Sequence, residues 1–224
     1  MARTPPIDED FVLRRTTEAT LRDGTRVRLR PITPDDKGHL VEGFRRLSPE
    51  SRYRRFMAPI EELSEEQLVY LTEIDYHDHF AWIAVSLEEA GTPGIGVARY
   101  VRSGEEPAVA EAAVTVIDDY HGRGLGTLLL EMLGAVALAN GVRTFRGYAR
   151  EDNRAILDVL KALDARTHHD SPGVIRVEID LPARAENLRG SPLYEVLRAV
   201  ARGDGPVFLP PESLSPGPPL DGTG

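Results

Sequence analysis

The chain contains no cysteine in 224 residues. Disulfides, a thiol nucleophile and cysteine-ligated zinc are therefore excluded. Lysine is nearly missing as well: Lys37 and Lys161 are the only two, and arginine carries the rest of the basic charge. A GC-rich coding sequence produces that bias without any functional cause. Positive charge is in deficit, with 27 Lys and Arg against 36 Asp and Glu, a net charge of −9. A nucleic-acid binder shows a basic face, so no nucleic-acid partner is expected. Long hydrophobic runs are missing too. The most apolar stretch, Leu125–Ala139, carries Glu131 and falls short of the ~20 residues that span a bilayer. Met1–Asp10 is polar and acidic, without a signal-peptide core. These absences lead us to expect a cytoplasmic protein with no membrane partner. Hydrophobic residues make up 41% and charged residues 28%, ordinary for a soluble globular chain. The length suffices for one domain with a real core.

Local patterns divide the chain without internal repeats. Thr20–Ile32 reads as a hairpin turning at Asp23–Gly24. Pro34–Leu47 reads as a helix capped by Thr33. Ser48–Pro49 opens a short helix through Phe56. Ser64-Glu65-Glu66-Gln67 is a capping box opening a helix with Leu68, Val69, Leu71 and Ile74. Strands follow at Phe80–Leu87, Gly94–Arg102 and Ala108–Ile117. A glycine-rich loop then leads into a long helix that stops near Asn140–Gly141. A strand at Arg143–Ala149, a helix at Asn153–Ala165 and a strand at Val174–Leu181 complete the main unit. Ser191–Pro192 opens a last amphipathic helix closed by Gly203. The Pro- and Gly-rich remainder has little to bury and is expected to be disordered. The expected division is an extension over 1–19, a main domain over 20–182, a linker and helix over 183–203, and a tail over 204–224.

Residues 114–127 carry the most information. An alternating β pattern runs into Gly122, Gly124 and Gly126, and then Leu125, Leu128, Leu129, Met132, Leu133 and Val136 recur at helical spacing. Backbone N–H groups in such a loop, with the helix N-terminus behind them, suit a phosphate group. The dinucleotide fingerprint requires a third glycine where Thr127 stands, and the nucleotide-triphosphate loop requires a lysine that is missing here.

The segment His121-Gly122-Arg123-Gly124-Leu125-Gly126, with Tyr120 before it, resembles the acetyl-coenzyme A signature Q/R-x-x-G-x-G/A of the GNAT superfamily of N-acetyltransferases. The order of elements from about Arg26 to about Leu181 is similar to that family's. Three further segments resemble the GNAT domain of bacterial protein lysine acetyltransferases: Arg46–Phe56, Leu71–Tyr76 running into Ala81–Val85, and Gly96–Tyr100. The resemblance implies an α/β fold whose mixed, mostly antiparallel sheet is flanked by helices and splayed at the strand before the glycine loop. Many enzymes of that branch carry an added regulatory or synthetase-like domain, and a chain of this length is expected to lack a large one.

The implied chemistry moves the acetyl group of acetyl-coenzyme A to an amine, with no metal. A free lysine has a pKa of about 10.4, so a base must take its proton. The oxyanion then needs N–H donors. Glu111, on the strand that feeds the loop, sits where similar enzymes keep their general base. Its strand parity places it with Ala113 and Thr115. The resemblance implies that the backbones of Val114 and Val116 meet the pantetheine arm and the thioester. His121, Gly122, Arg123, Gly124, Leu125, Gly126 and Thr127 would hold the pyrophosphate, with His121 replacing the usual Gln or Arg. Asn153 is either a helix N-cap, a hydrogen-bond partner of the pantetheine arm, or both. The tyrosine acid of many relatives falls near Val159 or Leu160, neither of which can donate a proton. His77 with His79, and His168 with His169, read as loop histidine pairs. The clustered arginines Arg45, Arg46, Arg52, Arg54 and Arg55 read first as a solvated helical face and second as a receiver for an acidic patch on a protein substrate.

Three functions fit these residues: acetylation of a protein lysine, as on acyl-coenzyme A synthetases; acetylation of a small amine; and non-catalytic sensing of acyl-coenzyme A. Glu111 argues against a sensor, which has no use for a base. The Ser48–Phe56 and Leu71–Tyr76 segments favour the protein substrate.

Overall fold

The computed structural model describes residues 9–56, 60–91, 93–151, 157, 165–183 and 187. Strand propensity is concentrated between residues 79 and 116, and those residues form the centre of one eight-stranded sheet. Its strands are β1 (Thr17–Thr20), β2 (Arg26–Pro31), β3 (His79–Ser86), β4 (Gly94–Arg102), β5 (Val109–Val116), β6 (Thr144–Arg150), β7 (Arg166–Ser171) and β8 (Val174–Asp180). They lie in the order β1-β2-β3-β4-β5-β6-β8-β7. Every pair is antiparallel except β5–β6. A parallel pair needs a crossover, and helix α5 (Leu125–Ala139) supplies it. None of the described helices is long and apolar enough to cross a membrane.

The sheet is covered on both faces, which is why β3 reads as a continuous apolar run. Phe80 and Trp82 point to the face where α5 packs Leu125, Leu129, Leu130 and Leu133. Ala81, Ile83 and Val85 point the other way, into a smaller cluster with Ile32 and Ile74. On that side lie helices α2 (Lys37–Arg45), α3 (Pro49–Phe56) and α4 (Glu65–Thr72). Helix α2 rests on the start of β4 almost backbone to backbone. A Cβ on Gly43 would meet the Gly94 carbonyl at 3.1 Å, and one on Gly94 would meet the His39 carbonyl at 3.1 Å.

The local signals hold at the helix ends. Ser64 Oγ accepts from Gln67 N at 3.2 Å, and Gln67 Oε1 accepts from Ser64 N at 2.9 Å. Ser48 Oγ accepts from Ser51 N at the start of α3. Thr33 is the N-cap, as expected, of one turn of 3-10 helix (Pro34–Asp36) that leads into α2, and Asp36 closes the capping box by accepting from Thr33 N and Thr33 Oγ1.

Two segments depart from the sequence reading. Residues 9–19, set aside as part of an extension, form helix α1 (Glu9–Arg15) and strand β1, and Phe11 packs its ring 5.1 Å from that of Tyr76. Strand β7 was missed, and His168 and His169 lie on it and not in a loop. All six of its residues are exposed, so it shows no apolar alternation, and pairing with β8 alone defines it. The helix expected at 153–165 lies outside the described residues except Leu157 and Ala165. Asn153, the final helix and the tail also lie outside them.

Asp36 is fully buried and receives both terminal nitrogens of Arg30, at 2.6 and 2.7 Å. This pair ties β2 to the turn that opens α2. Removing one partner strands the other charge, so Asp36→Asn should lower unfolding free energy by roughly 3 kcal/mol. Urea denaturation at neutral pH is the measurement.

Candidate active site

Strands β5 and β6 pair over only three residues, Val109–Glu111 against Thr144–Arg146. Past Arg146, β6 continues against β8 on its other side, and a wedge opens at Glu111. Two bonds fix the parity of β5: Ile117 N donates to Ile95 O, and Ser103 N donates to Val109 O. With an unbroken register between them, the odd-numbered residues of β5 bond to β4 and the even-numbered ones face the wedge. The peptide groups of Ala112, Val114 and Val116 thus line it. Among the described residues, no strand pairs with that edge. One wedge-facing carbonyl has a partner. His121 Nε2 lies 2.8 Å from Val116 O, and since a carbonyl only accepts, Nε2 carries the proton.

Beyond β5 the chain makes one turn of 3-10 helix, Asp118–Tyr120, and enters the glycine loop. Gly122 and Gly124 have φ of 76° and 92°, where a side chain is strained. Gly124 is the N-cap of α5 and has no side chain to cap it. The first intrahelical bond runs from Leu128 N to Gly124 O, which leaves the N–H groups of Leu125, Gly126 and Thr127 at the open end. The Leu125 and Thr127 side chains are buried, so their contribution to a ligand is through the backbone. Beside this loop runs an open groove with about 690 Å³ of empty volume, flanked by Arg22 and Arg123. Arg123 is held by Asp23 at 3.0 Å and lies over the Tyr120 ring.

Glu111 faces the side of α2, α3 and α4, with Ala113 and Thr115. Its neighbour across the wedge is Tyr148 on β6, whose hydroxyl donates to Glu111 Oε1 at 3.3 Å. Burial, then the charges of Glu111 and Asp170, push the Tyr148 phenol up to about 12. It is therefore a donor at any physiological pH. On the same face, a cavity with about 590 Å³ of empty volume, part of it open to solvent, spreads over β4 and β5. Arg99 of β4 and Arg55 of α3 line it among apolar residues. Burial and the Arg55 charge push Arg99 down to about 9, and burial pushes Arg55 down to about 10.

Sequence reasoning missed Tyr148 and Arg99. Tyr148 sits one pleat beyond Arg146, the last residue that β6 pairs with β5, and only knowledge of where that pairing stops marks it. Arg99 is a single charge in an otherwise apolar strand, a signal that was available. Arg55, grouped with a solvated face, instead lines the cavity. The titratable groups just before β3 have partners: Glu73 pairs with Lys37, the Asp75 side chain accepts from three backbone amides, and the Tyr76 hydroxyl donates to Ile32 O. His77 lies on Asp78 in the loop, whereas His79 belongs to β3 and accepts from Arg99.

Residues 26–166 match the acetyltransferase (GNAT) domain family. Acetyltransferase Pat of Mycolicibacterium smegmatis is 38% identical over 162 residues, which cover 72% of this chain and 48% of that protein. The chain thus spans about half the length of that relative. The solved GNAT domain of S. lividans PAT is 34% identical with a TM-score of 0.63, over 74% of this chain and 97% of that one. A cAMP-binding acyltransferase from Mycobacterium smegmatis gives 31% identity and a TM-score of 0.53, over 88% and 56%.

The loop is anchored from outside by Asp118, which accepts from Ser48 N, Ser48 Oγ and Ser51 Oγ at 2.9, 3.0 and 2.9 Å. Burial pushes its carboxyl up, but these bonds outweigh it and the net shift is downward. A lowered carboxyl contributes stability above the unfolded pKa and loses it as pH falls through the folded one. Asp118→Asn should therefore destabilise most at neutral pH, and its difference from wild type should vanish in acid. Urea midpoints at pH 7, 5 and 3 measure this.

Proposed function

The chain belongs to the GNAT acetyltransferase family, and on that premise we propose that it transfers the acetyl group of acetyl-coenzyme A to an amine, the side chain of a protein lysine. The observation that carries this reading is the wedge that opens at Glu111 beside the glycine loop. The pantetheine arm completes the unpaired edge of β5, bonding to the even-numbered peptide groups as a strand would. The pyrophosphate lies on the loop and the N–H groups that open α5, where the helix adds about half a positive charge. Arg22 and Arg123 flank that position. Both glycines with positive φ fit the same purpose, since they let the backbone approach the phosphate.

The amine nitrogen attacks the thioester carbonyl and Glu111 takes its proton. A wedge-facing N–H of Val114 or Val116 stabilises the oxyanion. The tetrahedral intermediate then collapses, the C–S bond breaks, and coenzyme A leaves as a thiolate. A free thiol has a pKa of about 8.5, so little acid assistance is needed. Tyr148 holds the Glu111 carboxylate in place through its hydroxyl. A protein acceptor is supported by the Ser48–Phe56 and Leu71–Tyr76 segments, which lie on the acceptor side of the sheet. An acyl-coenzyme A synthetase is the kind of substrate that the resemblance suggests.

Glu111→Gln keeps the shape of the side chain but cannot take a proton at neutral pH. Its transfer rate should fall about a hundredfold or more, while calorimetric affinity for acetyl-coenzyme A stays near wild type. Gly124→Asp should do the reverse and abolish binding, because it sets a carboxylate where the pyrophosphate meets the backbone. Wild-type turnover by Glu111→Gln, with chemistry shown to be rate-limiting, would remove Glu111 from the role of base.

A further inference from the structure

Beyond the wedge, β6, β8 and β7 continue the sheet with two unlike faces. Phe145 of β6 and Ile175, Val177 and Ile179 of β8 are buried in the core on the α5 side, and Leu157 packs against that core. The pairing register puts Arg146, Tyr148, Arg176, Glu178, Arg166 and His168 on the opposite face, the one that carries Glu111. That face is polar and reaches solvent. All six residues of β7 are exposed, and the side chains of Arg166 and Arg176 are 49% and 36% exposed.

Two arginines of this face are matched. Arg146 donates to Glu178 and Glu106, and Arg166 donates twice to Asp180. Arg176 differs. Its carboxylate contact among the described residues is Glu178, with Nε 3.8 Å from Oε1, too long for a hydrogen bond. That oxygen already accepts two bonds from Arg146. Arg176 Nε is itself buried and has no hydrogen-bond partner among the described residues. A buried N–H without an acceptor is costly, and an arriving oxygen that meets it removes the cost.

The position of this guanidinium is fixed by the ladder. Arg176 stands directly opposite Tyr148 on β8, about 5 Å away across the strands, and Tyr148 donates to Glu111. Arg176 is thus one strand beyond the mouth of the wedge. In an extended segment that crosses this face, a residue about two or three positions from the reacting lysine reaches it. A guanidinium offers only donors, in a fork that matches a carboxylate.

We propose that Arg176 receives an acidic side chain of the acceptor polypeptide, close in sequence to the lysine that reacts at Glu111. The assignment rests on the transfer reading given above. Arg176 then selects among lysines by their neighbours, and the reaction itself is unchanged.

The test uses the full chain, acetyl-coenzyme A and end-capped peptides with a single lysine. At each position from three before the lysine to three after it, a Glu peptide is compared with its Gln counterpart by kcat/KM. At one or two positions the Glu member should be preferred roughly fivefold or more, chiefly through KM. Arg176→Gln should bring those pairs to within about twofold, and Arg176→Glu should turn the preference toward a peptide with Arg at the same position. A purely structural role for Arg176 would lower both members alike and leave their ratio unchanged. No preference at any position in an active wild type, or a preference that survives in Arg176→Gln, overturns the proposal. If Arg176→Gln does not fold, the wild-type ratios and the inversion in Arg176→Glu still decide. Transfer to no peptide and no small amine, by wild type that binds acetyl-coenzyme A, would instead overturn the transfer reading and this assignment with it.

Discussion

The pairing of β5 with β6 stops after three residues, and the rest of the site depends on that stop. A strand edge deep in a sheet normally finds a partner, because unpaired peptide groups away from water are costly. Here, among the described residues, no strand pairs with the edge of β5 from Ala112 to Val116, and that edge leads straight to the glycine loop. Arg146, at the end of the paired stretch, is drawn to Glu178 on β8 and to Glu106. That keeps β6 with β8 while β5 stays with β4. Tyr148 and Glu111 then meet across the mouth of the wedge.

The loop is held by neighbours distant in sequence. Asp118 is bound by the start of α3. The Tyr120 hydroxyl donates to Glu89, which is paired with Arg46 after α2. Arg123 is bound by Asp23 in the first hairpin. These contacts hold the loop largely through side chains, and of its own amides His121 N donates to Asp118 O. Pre-organised donors cost nothing to orient when charge arrives.

Arg30, partly buried, and Arg99, fully buried, show how differently one residue type is treated in one sheet. Arg30 meets Asp36 in a bidentate pair that satisfies both, and burial there joins β2 to α2. Arg99, two strands over and still more buried, meets a carbonyl and a neutral imidazole. The first arrangement is complete without a ligand. The second lines a cavity over β4 and β5.

The sequence by itself determined whatever depends on neighbours along the chain. The capping box at Ser64–Gln67, the start of α3 at Ser48–Pro49, the limits of β4 and the glycine loop opening α5 were all legible, because turns and caps are made by residues within four positions. The family signature was legible for the same reason. Tertiary structure decided the rest. Strand β7 has no apolar alternation to read, since it exists only as an edge paired to β8. Helix α1 is short and polar, and it is fixed by Phe11 reaching Tyr76. The wedge is a register between strands some thirty residues apart, so neither Tyr148 nor the parity that turns Val114 and Val116 toward it can be found along one segment. The charge of Arg99 is plain in the sequence, but its meaning is not. Whether a buried guanidinium is satisfied depends on what the fold brings to it from α3, α4 and β3, and that is a property of packing in three dimensions.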